Sequence, residues 1–101
     1  MEFSQAHSLS KADARSRIKR LTDRWREKYG ITVSWAGDEA SLKGKIKGFT
    51  LDAHLVVTDT NVNATGADPS FLVRGTLIKY LKTTLAQYLD PAISIDTLEP
   101  T

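Results

Sequence analysis

The chain has 101 residues, no cysteine and a formal net charge of +2. That length supports one domain around one modest core, and the absence of cysteine excludes disulfides and zinc sites of the thiolate type. Apolar runs fall far short of the roughly 18 residues a membrane helix needs, and Met1–Ala6 lacks the basic-then-apolar pattern of a signal peptide, so the expected address is the cytoplasm.

Residues 1–8 read as a flexible arm. Ser10 is a good helix N-cap, Asp13 stands where it can reach back, and Leu9 and Ala14 are spaced for a hydrophobic staple. Ala14, Ile18, Leu21, Trp25 and Tyr29 then recur at spacings of three and four, which predicts one amphipathic helix over residues 11–29, stopped by Gly30. Four strands follow by alternation: Ile31/Val33/Trp35, Ala40/Leu42/Gly44/Ile46, Phe49/Leu51/Ala53/Leu55/Val57 and the weaker Val62/Ala64/Gly66. Turns are expected at Gly37-Asp38, Lys47-Gly48 and Asp59-Thr60.

A register test supports these strands. With Lys47-Gly48 as a two-residue hairpin loop, Ile46 faces Phe49, Gly44 faces Leu51, Leu42 faces Ala53 and Lys43 faces Asp52. The other two turns keep the same parity, so all the apolar residues share one face, and a one-residue slip would turn each set toward water. Asp68-Pro69 opens a second helix, with Phe71, Ile78, Leu81, Leu85, Tyr88 and Leu89 as its buried stripe and Gly75 expected against the sheet. Asp90-Pro91 ends it. The predicted fold class is α+β: a four-stranded antiparallel meander with two helices packed on one face, in the order α-β-β-β-β-α. The domain spans residues 9–90, followed by a tail at 91–101.

Charge is unevenly placed. Residues 1–30 hold 8 Lys/Arg and 4 Asp/Glu, whereas the rest hold 6 and 8. On the first helix Arg17, Arg20, Arg24 and Lys28 fall on one flank of the buried stripe, and Arg15, Lys19 and Arg26 border the other. Such a flank suits an anionic surface or nucleic acid; the plainer reading is a solvated face with internal ion pairs, Asp13–Arg17, Asp23–Arg26 and Glu27–Arg24. Leu72 and Val73 widen the apolar surface at the start of the second helix, either to cover the sheet edge or as a contact patch for a granule or a second copy.

Catalytic constellations are weak. His54, Asp52, Ser41 and Ser34 share the polar face of the meander, but an open flat face offers neither a buried orienting carboxylate nor a nucleophile turn. His7 and His54 are far apart without clustered carboxylates, so no metal site is expected. Gly44-Lys45-Ile46-Lys47-Gly48 lacks the following helix of a phosphate loop. Trp35 is expected in the core. No cofactor is implied, and the chain reads as non-enzymatic.

The order of several short motifs resembles one bacterial family, the polyhydroxyalkanoic acid system proteins. His7 with Leu9, the Ala14/Arg15 and Leu21 positions, Tyr29-Gly30, Trp35-x-Gly37, Gly44, Gly48, Gly66 and Leu89-Asp90 carry the resemblance across roughly residues 7–90. Where the family tends toward a Leu-rich stretch around its glycine, this chain reads Asn63-Ala64-Thr65-Gly66-Ala67-Asp68. The resemblance implies an accessory protein of polyhydroxyalkanoate metabolism and brings no catalytic residue set; it leaves His7 with a local part in ordering the start of the first helix.

Three functions are therefore weighed: an accessory protein touching polyester granules or a granule-bound protein through Arg17, Arg20, Arg24 and Lys28 or through Leu72 and Val73; a nucleic-acid or ribosome-associated binder; and a ligand carrier with a pocket beneath the helices at Gly44, Ala53, Ala64 and Gly66. The first or the fourth predicted strand is expected as an open edge, because Asn61, Asn63 and Thr65 do little to discourage pairing, and a homodimer follows as one use of such an edge.

Overall fold

The computed structural model describes residues 2–46, 49–66 and 71–93, with the side chains of residues 46, 49, 71–74 and 77 outside that description. The elements run β1 (Glu2–Ala6), α1 (Lys11–Tyr29), β2 (Thr32–Ala36), β3 (Glu39–Ile46), β4 (Phe49–Val57), β5 (Asn61–Gly66) and α2 (Phe71–Tyr88). The α+β class and the two helices match expectation, but the antiparallel sheet has five strands in the order β1-β5-β4-β3-β2.

The extra strand corrects the reading of residues 1–8 as an arm and of the fourth predicted strand as an edge. Phe3 pairs with Ala64 and Gln5 with Val62, so β1 continues the sheet past β5. Ser4 Oγ donates to Asn63 Oδ1 at 2.7 Å and accepts from Asn61 Nδ2 at 2.7 Å. The polar residues that left β5 unguarded are therefore the ones its partner engages.

The register of β2 to β5 follows the turn parity read from the sequence. Leu42 faces Ala53, Gly44 faces Leu51, Lys43 faces Asp52, Trp35 faces Ala40 and Val57 faces Val62. One sheet face is thus apolar, with Leu42, Leu51, Leu55, Val57 and Val62 buried under both helices. From α1 the core takes Ala14, Ile18, Leu21 and Trp25; from α2 it takes Leu81, Leu85 and Tyr88, with Leu89 just beyond. The opposite face alternates to exposed Thr, Ser, Asn and charged residues.

The ends of α1 are set by local chemistry. Ser10 Oγ accepts the Asp13 N–H at 3.1 Å, and Gly30 takes a left-handed φ of 68° while its N–H bonds the Arg26 carbonyl at 3.0 Å. Before α1, His7 is a two-sided fastener: its Nε2 lies 2.9 Å from the Thr58 carbonyl and its Nδ1 accepts the Leu9 N–H at 3.1 Å. Nε2 is therefore the donor and Nδ1 the acceptor, the neutral form with one proton. This is the local role expected of His7, and it also ties β1 to the turn between β4 and β5.

Two expectations about small residues fail. Gly75 is exposed, with nothing within 4 Å of where a Cβ would stand, because it falls on the outer face of α2 rather than against the sheet. Nor do Gly44 and Gly66 leave room for a ligand. A Cβ on Gly44 would stand 2.6 Å from Ile31 Cγ2, and one on Gly66 would collide with the Asp52 carbonyl oxygen. At these glycines close neighbours already fill the space that a side chain would take. The expected N-cap at Asp68-Pro69 and the Lys47-Gly48 turn lie outside the described residues, as does the tail from residue 94; Ile93 packs against the core.

Gly44 also has a φ of 147°, a region that side chains rarely adopt. Gly44→Ala is expected to cost about 3 kcal/mol through overpacking and backbone strain. Urea denaturation checks this, and a Gly75→Ala control should be neutral or slightly stabilising, since a helical Ala is favoured over Gly by about 1 kcal/mol.

Candidate functional site

The cationic flank of α1 separates into three situations. Arg17 is not a surface residue: it is 6% exposed. Its Nε lies 3.4 Å from Asp13 Oδ1 one turn back, and its Nη1 donates to the carbonyls of Tyr88 at 3.3 Å and Asp90 at 2.9 Å. A helix C-terminus leaves carbonyls without intrahelical partners and carries partial negative charge. Arg17 supplies both hydrogen-bond donors and positive charge there, so it joins the end of α2 to the start of α1. Its expected contact with an outside partner is corrected by this burial.

Arg20 and Arg24 are half-buried and Lys28 is exposed, at successive four-residue steps along the same ridge. Arg24 Nη1 donates to the Tyr88 hydroxyl at 3.1 Å, so this ridge faces α2. Lys28 Nζ stands 5.6 Å from the centre of the Tyr29 ring. On the far flank, Arg26 meets Asp23 at 3.6 Å and Lys19 meets the same carboxylate at 3.8 Å. Those pairs are exposed and contribute little. The internal pairs expected for Asp13 and Asp23 are present.

Between α1 and α2 lies a cleft of about 200 Å³. Leu21 and Trp25 form part of its wall, Arg24, Lys28 and Tyr29 come from the remainder of the α1 side, and Tyr80, Thr84, Gln87 and Tyr88 from α2. Trp25 Nε1 donates to the Tyr80 hydroxyl at 3.2 Å, which fixes the Tyr80 ring across the cleft. Among the described residues, Arg24 and Lys28 bring positive charge to this space. Tyr88 is buried as the stripe predicts, but Tyr80, Thr84 and Gln87 escaped sequence reading because polar side chains on an amphipathic helix read as solvated. Their spacing, Tyr80, Thr84, Gln87, was the available signal for a second polar wall.

Trp35-x-Gly37 has a structural explanation. The turn between β2 and β3 carries Gly37 at φ 61°, and Arg15 Nε donates to the Gly37 carbonyl at 2.8 Å. The Arg15 guanidinium stands 5.3 Å over the Trp35 ring, and Trp35 Nε1 donates to Thr22 Oγ1 at 3.2 Å. Trp35 is half-buried against the core rather than fully enclosed. Lys11 Nζ meets Asp38 at 3.0 Å; the hydrogen bond to Asp38 first, then its charge, raises the Lys11 ammonium above its ordinary value. The N-terminal half of α1 is thus fastened to this turn.

Of the other expected features, Ser41 Oγ lies 3.3 Å from His54 Nδ1 on the exposed sheet face, with Asp52 two residues from His54 along β4. Among the described residues no group of three or more His, Asp or Glu is arranged to hold a metal, and no helix is long and apolar enough to cross a membrane. The side chains of Leu72 and Val73 lie outside the described residues.

A one-layer antiparallel sheet roofed by two helices, with a cationic cleft between them, defines a small α+β domain whose distinctive surface is interhelical. The chain belongs to the family described as "putative polyhydroxyalkanoic acid system protein", which matches it over residues 1–93. That match includes β1 as well as the motif-bearing segment. No curated protein and no solved structure matches the chain.

The Arg17 arrangement makes a direct prediction. Arg17→Ala strands the Tyr88 and Asp90 carbonyls, and a buried charged partner of this kind is worth about 3 kcal/mol when removed singly. Chemical denaturation should show that loss, while Arg26→Ala, on the exposed flank, should stay within about 0.5 kcal/mol of the parent.

Proposed function

We propose that this protein is a non-enzymatic accessory component of polyhydroxyalkanoate metabolism that works in the cytoplasm by contacting the polyester granule or a protein bound to it. Membership of the family connects the chain with the polyhydroxyalkanoic acid system. The observation that carries the contact reading is the row Arg20–Arg24–Lys28 along one ridge of α1. A polyester of hydroxy acids presents ester carbonyls and terminal carboxylates. Arginine and lysine are donors without acceptors and suit both groups. Arg17 takes no part in this contact, because its guanidinium serves the fold. The alternative contact, through Leu72 and Val73, falls on side chains outside the described residues.

Co-sedimentation with isolated granules tests the reading. The parent protein should pellet with granules at low salt, and its recovery should fall as ionic strength screens the charges. Arg20→Glu with Lys28→Glu should remain in the supernatant while circular dichroism shows it folded. Equal recovery of the parent and this charge-reversed variant would overturn the contact.

A further inference from the structure

The sheet ends in two outer strands, β1 and β2, and they are not alike. Proteins blunt such edges with charge, proline or a bulge. β1 opens on a charged residue, Glu2. β2 has none of these devices. Thr32-Val33-Ser34-Trp35-Ala36 holds no charged residue and no proline, and it pairs one to one with β3 without a bulge. Thr, Val and Trp also favour extended backbone. Among the described residues no strand lies on its outer side.

The core is unfinished along this edge. On β3, Ala40 and Leu42 are buried, whereas their β2 partners, Trp35 and Val33, are only half-buried. An occupant must therefore bring both a backbone ladder and apolar side chains on the helix side. A second β2 brings both. Laid antiparallel about Ser34, it sets Val33 of each copy beside Trp35 of the other, an aromatic and β-branched pair of the kind that stabilises sheets.

Charge selects the direction. On the outer sheet face β3 carries Lys43 beside Thr32 and Glu39 beside Ala36, so the edge is positive at one end and negative at the other. Antiparallel pairing about Ser34 brings Thr32 opposite Ala36. Lys43 of one copy and Glu39 of the other then share a row, three strand spacings or about 14 Å apart at Cα. Only the short side chains of Thr32 and Ala36 stand between them. A parallel pairing brings ends of like sign together and forfeits this match. We infer that β2 is the contact strand of a symmetric dimer, in which two copies join edge to edge into one continuous antiparallel sheet. The two-fold symmetry closes the assembly at two copies. It also sets both helix layers on one side of the sheet, so that two Arg20–Arg24–Lys28 ridges address one surface, an arrangement that favours bivalent contact. The inference does not depend on granule contact, because the dimer forms without granules.

Analytical ultracentrifugation of the parent protein should show its mass move from the 11.2 kDa of one chain toward twice that value as concentration rises through the micromolar range, since a five-residue strand pair makes a small interface. Ser34→Lys sets two ammonium groups opposite each other on the two-fold axis and should weaken association about tenfold or more. Ser34 is exposed, so circular dichroism should show this variant folded. Cross-linking provides a second readout that does not depend on the lysine variant. The chain has no cysteine, so Ser34→Cys carries a single thiol at the axis, and mild oxidation should join it into a disulfide-linked dimer. Thr50→Cys, exposed on the same sheet face but on β4, should stay monomeric under the same oxidation. A single-chain mass at every concentration up to about 1 mM, association unchanged by Ser34→Lys, or equal cross-linking of Ser34→Cys and Thr50→Cys would overturn the inference. Loss of granule recovery in the Arg20/Lys28 charge-reversal variant is read separately and leaves this result standing, because neither residue lies on β2.

Discussion

A single buried guanidinium fixes how the two halves of the roof meet. Both helices must cover the one apolar face of the sheet, but burial of apolar surface is non-directional and would tolerate many relative placements of the rods. Hydrogen bonds are directional. Arg17 Nη1 reaches the Tyr88 and Asp90 carbonyls at the close of α2 while its Nε remains beside Asp13 of α1. Arg24 to Tyr88 and Trp25 to Tyr80 repeat the fastening further along α1. The cleft is what remains between helices held together by these contacts, so its geometry is an outcome of fold stability rather than an addition to it.

How much could be read in advance depended on whether a feature was local. Helix α1 was legible to the residue because Ser10 and Gly30 act on their own neighbours. The register of β2 through β5 was legible because each turn is short and each strand has a strict inside and outside, which makes parity a strong constraint. Strand β1 was missed because its core-facing positions are Phe3 and Gln5, one apolar and one polar, too little alternation to register. The better clue lay elsewhere: Asn61, Asn63 and Thr65 made β5 a poor edge, and a poor edge calls for a neighbour.

The site was only half legible. Sequence spacing put Arg20, Arg24 and Lys28 on one ridge, which holds. It could not distinguish them from Arg17, because the burial of Arg17 depends on where the end of α2 arrives from the far side of the molecule, 71 residues away. The same dependence hid Tyr80, Thr84 and Gln87, whose meaning comes from facing α1. The Trp35-x-Gly37 motif that marked the family turns out to fasten a turn to α1 through Arg15. Small residues were misread for a related reason. Gly44 and Gly66 suggest space, yet each is small because a neighbour already occupies it.

The pairing of β1 with β5 has a consequence for how the chain comes into being. Ser4 meets Asn63 across a sequence distance of 59 residues. On the ribosome β1 must therefore wait until the whole β2–β5 segment has been made before its partner exists. Closing so long a loop is paid late in folding. The nascent protein meanwhile presents an unroofed hairpin stack and a free amphipathic α1, and the pairing of β1 comes after the β2–β5 meander has been made rather than before it.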